Sequence, residues 1–195
     1  MSMFYYYALY KPYEVLTQFS PEQNKKTLKD CIDVPVDVYP VGRLDYDSEG
    51  LLLLTNDTSL NAALLHPKHS HERTYLVQVE GQITATAIQM LEKGITINVN
   101  GKSYRTMPAK ARLLQAAPEL PERNPPIRFR KNIPTSWISL TLSEGKNRQV
   151  RKMTAAAGFP TLRLVRYSIG KLNVAGWESG ELRKYSRKEF LDLIF

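Results

Sequence analysis

The sequence predicts an α+β fold in which a mixed, mainly antiparallel sheet is flanked by helices and loops. Three observations lead there. Strand-like and helix-like stretches alternate without the repeating βαβ rhythm of a parallel sheet. One strand candidate is wholly apolar (Leu51 to Leu54) and another alternates (Tyr75, Val77, Val79), so buried and half-buried strands coexist. Finally, 195 residues that are 43% apolar can bury a real core. We expect a single domain spanning 1–195, with two subdomains sharing one sheet as the variant of that reading.

The elements follow in order. Phe4 to Tyr10 is aromatic-rich and reads as a strand, and Gly50 to Thr55 as a buried one. Ser59 to Leu65 suits a short helix before Pro67. Arg73 to Glu80 alternates and is a strand. Thr84 to Lys93 places Ala87, Ile88 and Leu91 at helical spacing, with Gly94 as its C-terminal cap. Ile95 to Val99, Ala109 to Leu114 and Trp137 to Leu142 read as strands. Asn147 to Ala157 is the clearest helix: Val150, Met153, Thr154 and Ala157 share one face, and Arg148, Arg151 and Lys152 lie off it. Leu162 to Ile169 is a strand. Ser186 to Ile194 is a terminal helix, with Ser186 and Glu189 forming a capping box.

Composition excludes several classes. The apolar and aromatic content is too high for disorder, and a single cysteine, Cys31, supports no internal disulfide and suggests a reducing compartment. No apolar run reaches membrane-spanning length and no secretion signal opens the chain, so a cytoplasmic location without membrane association is expected. The net charge of +8 is unevenly placed. Residues 1–122 hold 12 Lys and Arg against 14 Asp and Glu, whereas residues 123–177 hold 11 against the single acid Glu144. Such a segment reads as a face for a polyanion, nucleic acid above all, or more plainly as a solvated basic surface. Overlapping its start, residues 115–135 carry five prolines with Arg123, Arg128, Arg130 and Lys131 among them. This stretch reads as a basic loop along a phosphate backbone, or as a surface insertion.

Other machineries are missing. There is no phosphate-binding glycine loop, dinucleotide fingerprint or nucleophile elbow. His66, His69 and His71 cluster, but lack the cysteines or helical spacing of a metal site, and no metal is expected. The strongest local feature is Gly42-Arg43-Leu44-Asp45-Tyr46-Asp47-Ser48-Glu49-Gly50, running into Leu51 to Thr55. As a calcium loop it fails, because Asn56 occupies the position that needs a bidentate Glu. An acidic turn or an active-site loop feeding a buried strand both remain open.

Pro40 to Asn56 resembles the signature motif of the bacterial pseudouridine synthases that act on ribosomal RNA. Lys11 to Gln18, Arg73 to Gly81, Glu144 to Met153 and Gly158 to Gly170 resemble further stretches of that family, in the same order. Arg123 to Arg128 and Ile133 to Trp137 look most like its large-subunit members. The resemblance implies a pseudouridine synthase catalytic domain, without the separate N-terminal RNA-binding domain that many relatives carry. Such a domain isomerises a uridine of large-subunit (23S) ribosomal RNA, with a small-subunit or transfer RNA target as the alternative. The resemblance implies no cofactor or metal, and we expect a monomer. By motif position it makes Asp45 the catalytic carboxylate and Arg151 its cationic partner, or else a phosphate contact. It makes Tyr75 the tyrosine beside the target base and Leu164 a pocket-lining aliphatic, both of which spacing alone would place in the core. It assigns Arg43, Leu44 and Arg166 to substrate binding. Lys146, Arg148 and Lys152, with Arg123, Arg128, Arg130 and Lys131, would contact RNA. Two rivals of other classes are a non-catalytic RNA-binding assembly factor and a sugar hydrolase using Asp45 and Asp47 as a carboxylate pair.

Overall fold

The computed structural model describes residues 3–65, 71–127 and 133–195. Strand β1 (Tyr6–Lys11) is followed by the short strands β2 (Val15–Leu16) and β3 (Lys26–Thr27), a 3-10 turn (Leu28–Asp30) and β4 (Tyr39–Pro40). Next come β5 (Glu49–Thr55), α1 (Thr58–Leu65), β6 (Arg73–Glu80), α2 (Ala85–Glu92), the hairpin β7 (Thr96–Val99) and β8 (Lys102–Arg105), and β9 (Lys110–Leu113). The chain closes with β10 (Thr135–Leu142), α3 (Gln149–Ala156), β11 (Thr161–Ile169), β12 (Leu172–Asn173), β13 (Leu182–Tyr185) and α4 (Arg187–Ile194).

One sheet runs through the protein in the order β13-β1-β5-β11-β6-β10-β9, with β4 added to β5 and β12 to β11. Its described pairings are antiparallel except β5 with β11. The expected α+β architecture is therefore present. Strand β5 is buried at all seven positions because both of its faces are covered. Leu51 and Leu53 face a core with Tyr10, Trp177 and Phe190, and Leu52 and Leu54 face another with Leu9, Val15 and Leu28. A third core, with Val77, Leu91, Ile138 and Met153, packs α2 and α3 onto the other half of the sheet.

Gly50 makes the β5–β11 junction possible. It has φ +101°, and a Cβ there would lie 2.4 Å from the Arg166 carbonyl oxygen and 2.9 Å from the Arg166 nitrogen. Only glycine meets both demands.

The Arg73–Glu80 strand and the Ser186–Glu189 capping box match expectation. Helix α3 starts two residues later than the pattern suggests, because Arg148 is left-handed (φ 52°, ψ 34°). Strands β8 and β13 are unheralded. Both are short and largely polar, and each exists only through its partner: β7 for β8, β1 for β13. No helix among the described residues is long and apolar enough to cross a membrane.

Candidate active site

Five successive carbonyls of the loop entering β5 accept hydrogen bonds, four of them from outside the loop. The Arg43 oxygen accepts from Arg166 Nη1 (3.4 Å), that of Leu44 from the Thr17 hydroxyl (2.5 Å), and that of Asp45 from the Ser48 amide (3.0 Å). The Tyr46 oxygen accepts from the Glu14 amide (2.9 Å), and that of Asp47 from Arg151 Nη2. Residues 11–18 thus act as a splint along the loop, while β11 and α3 send arginines to its two ends. Such backbone anchoring places the Asp45 carboxylate on a rigid support.

Asp45 opens into a cleft of about 950 Å³. Alternation along the paired strands builds its floor: Tyr75 lies opposite Arg166 and Leu140, and Leu164 opposite Val77. One sheet face therefore presents Arg73, Tyr75, Leu142, Leu164 and Arg166 to the cleft. Arg43, Leu44 and Asp45 form one wall, and the 143–149 turn with Lys146 and Arg148 the facing one. Five cationic side chains surround Asp45 and Glu144, and among them an aromatic ring and aliphatic groups offer a surface for a planar base.

The arginines distribute themselves unlike the sequence expectation. Arg151 pairs not with Asp45 but with Asp47, its Nε 3.2 Å from the Asp47 carboxylate, and it does not line the cleft. The reason is its bond to the Asp47 carbonyl, which draws the guanidinium beneath the loop. Among the described residues, the cation in ion-pair range of Asp45 is Arg148, with Nη1 3.8 Å from Oδ2. Arg148 also forks onto Asp47 through bonds of 2.9 and 2.7 Å. Burial raises the Asp47 pKa, but the Arg148 hydrogen bond and the charges of Arg151 and Arg148 outweigh it and leave the pKa below the ordinary carboxylate value.

Arg166 is 5% exposed and donates through Nε to the Leu51 carbonyl (2.7 Å), so it supports the cleft floor from within rather than reaching out to phosphate. Its Nη2 makes no hydrogen bond among the described residues. Burial lowers its pKa, and the neighbouring Tyr75 hydroxyl works against that. Lys152 lies in a separate groove between α3 and the β7–β8 hairpin, and bonds Asn147 (3.4 Å). Arg123 stacks on the Tyr13 ring at 4.1 Å and bonds the Pro125 carbonyl, outside the cleft but beside the splint. Arg128, Arg130 and Lys131 lie outside the described residues, as do His66 and His69. His71 lines the cleft with its ring edge-on to Phe195, and no group of His, Cys, Asp and Glu suited to a metal occurs among the described residues.

Sequence reasoning considered Asp47 only as half of a carboxylate pair and missed its part as the hub of both arginines, which lie 101 and 104 residues away. It also missed Arg73, and Lys11, which is fully buried and bonds the Pro12 and Val15 carbonyls at 2.7 Å each. Burial pushes the Lys11 pKa down to about 7. A glycosidase pair made of Asp45 and Asp47 would need one member to be a carboxylic acid of raised pKa, and Asp47 does not fill that role. Asp47 is held in the opposite direction.

Residues 5–156 match the family model described as RNA pseudouridylate synthase. The ribosomal large subunit pseudouridine synthase E of Vibrio vulnificus (strain CMCP6) is 49% identical over 176 residues, covering 90% of this chain and 73% of its own length. The enzyme of that name from Xanthomonas axonopodis pv. citri (strain 306) is 51% identical over 164 residues, covering 83% and 84%. A crystal structure of a pseudouridylate synthase superposes with a TM-score of 0.79 at 28% identity, over 100% of this chain and 75% of that one.

Proposed function

Since the chain belongs to the RNA pseudouridylate synthase family, we propose that it isomerises a specific uridine of large-subunit ribosomal RNA to pseudouridine, with Asp45 as the catalytic carboxylate. The observation that carries this reading is the single cleft in which a rigidly mounted Asp45 faces Tyr75, Leu164 and four cationic side chains at the surface, Arg43, Arg73, Lys146 and Arg148. The large-subunit target rests on the printed names of the Vibrio and Xanthomonas relatives.

The reaction is a balanced isomerisation. The N1–C1′ bond breaks, the base turns, a C5–C1′ bond forms, the C5 proton leaves and N1 gains one. A stacked uridine is out of reach, so it must be extruded, at a cost of a few kcal/mol. Stacking against Tyr75 and Leu164 and ion pairs between phosphates and Lys146 or Arg43 offset that cost. Cleavage builds positive character on the ribose, which a fixed carboxylate stabilises as a nucleophile, a base or an opposing charge. Arg148 holds Asp45 from one side only, at 3.8 Å, leaving the carboxylate available to the nucleotide. A purely RNA-binding assembly factor would need no such carboxylate.

The test is tritium release from RNA carrying 5-tritiated uridine. The wild-type protein should release tritium from large-subunit RNA, and Asp45→Asn should bind that RNA yet release none. Undiminished turnover by Asp45→Asn would remove Asp45 from the chemistry, and release from small-subunit RNA alone would overturn the target.

A further inference from the structure

The 143–149 turn and the β7–β8 hairpin meet at one carboxylate. Glu144, the single acid of residues 123–177, accepts the Tyr104 hydroxyl on Oε2 at 2.5 Å. Its Oε1 accepts the Met107 amide (2.8 Å) and the Gln149 Nε2 (2.7 Å). Gln149, 4% exposed, accepts the Lys146 amide on its Oε1 at 2.8 Å, which closes the turn. The Lys146 ammonium lies 4.8 Å above the Tyr104 ring. One residue before Gln149 stands Arg148, in a left-handed conformation that side chains rarely adopt. Such backbone persists where its surroundings over-determine it, commonly at functional sites. Here the surroundings are Asp47 on one side and the Glu144–Gln149 closure on the other.

We propose that Glu144 is a positioning residue for the reaction: its carboxylate ties the β7–β8 hairpin to the turn that holds Arg148 beside Asp45. The proposal rests on the catalytic reading of Asp45 given above. It assigns work to the single acid of residues 123–177, which stands on a cleft wall where a negative charge weakens phosphate binding. Without the carboxylate, three donors lose their acceptor, the turn loses its tie to the hairpin, and Arg148 relaxes out of its left-handed position. Misplacement of a site group by about 1 Å can cost on the order of 100-fold in rate.

The full chain is assayed in single turnover on saturating 5-tritiated RNA, with RNA affinity measured by filter binding and folding by urea midpoint. Glu144→Ala should be slowed roughly 10- to 100-fold, while its RNA affinity is unchanged or tighter because an acid has left the basic face. Glu144→Gln, which keeps an acceptor for Gln149 and Met107, should recover most of the rate. The deciding comparison combines Glu144→Ala with Arg148→Ala. If Glu144 acts through Arg148, the double variant is no slower than Arg148→Ala alone. Multiplying losses, or a full saturating rate in Glu144→Ala, overturn the proposal. Should Glu144→Ala fail to fold, Tyr104→Phe removes one of the three donors and enters the same comparison, and an unchanged rate in that variant overturns the proposal equally. An inactive wild-type protein would instead sink the catalytic reading itself, so the two failures are distinct.

Discussion

Beneath the Asp45 loop, Glu49 and Arg163 form a doubly hydrogen-bonded pair, at 2.9 and 2.7 Å, with side chains 3% and 9% exposed. Glu49→Gln keeps the shape and removes the charge. The variant leaves the Arg163 guanidinium buried without its counter-ion, and breaking one partner of such a pair costs about 3–5 kcal/mol. For a chain of this size each kcal/mol lowers Tm by about 2–4 °C, so the loss should be roughly 6–20 °C. Replacing both partners, Glu49→Leu with Arg163→Met, should recover most of that loss, because the desolvation cost of both ions disappears with them. The recovery is incomplete, since Arg163 also donates to the Pro121 carbonyl at 2.7 Å. Urea midpoints and thermal melts of the three proteins read this directly. The exposed Glu22–Lys25 pair, at 41% and 44% exposure, is the control, and its removal should cost under about 1 kcal/mol. A loss below about 1 kcal/mol in Glu49→Gln, or a double variant weaker than the single one, would refute the reasoning that burial makes this pair matter.

Other outcomes follow from single contacts. Gly50→Ala drives a Cβ to 2.4 Å from a backbone oxygen and should cost at least about 3 kcal/mol, or prevent folding. Gly158→Ala, with a similar φ of +92° and open space around it, should cost only about 1–3 kcal/mol of backbone strain, and equal urea midpoints for the two would contradict the clash. Lys11, whose pKa falls from 10.5 to about 7 on burial, binds fewer protons folded than unfolded between those values. Stability should therefore rise as pH climbs from 7 towards 10, by up to about 1.4 kcal/mol per unit, and Lys11→Met should flatten that slope. Lys146, at the cleft wall, should contribute one phosphate contact. Lys146→Ala should then reduce the slope of log affinity against log salt by about 0.7–0.9, and an unchanged slope would take Lys146 off the backbone.

What the sequence revealed depended on how local the cause is. The Arg73–Glu80 strand and the Ser186 capping box are set by residues two or three apart, and pattern reading found both. Strand β13 is Leu-Arg-Lys-Tyr with no apolar alternation, and its state is decided by Tyr6 to Leu9 across the sheet. The site divides the same way. Asp45, Tyr75 and Leu164 stood out because an ordered set of motifs resembled a family, whereas spacing alone placed Tyr75 and Leu164 in the core. Thr17 and Glu14 sat inside one of those motifs, yet their work as a splint for residues 44 and 46 exists only in three dimensions. The left-handed Arg148 left no local sign, since nothing in Asn147-Arg148-Gln149 demands a break before the helix.

The three acids of the 45–49 run divide the labour in a way that follows from their partners. Glu49 is spent on Arg163 inside the fold, and Asp47 on Arg148 and Arg151. Two arginines fixed by Asp47 keep their positive field beside Asp45 without closing on it. Had Arg148 formed its bidentate pair with Asp45, the carboxylate would have both oxygens occupied, and each turnover would begin by breaking a charge-assisted bond. At 3.8 Å from Arg148 and 37% exposed, Asp45 keeps its charge opposed while remaining open to the cleft. On the proposed function, Asp47 is then what makes Asp45 usable: it holds the cations where they steady the carboxylate and stops them from capturing it.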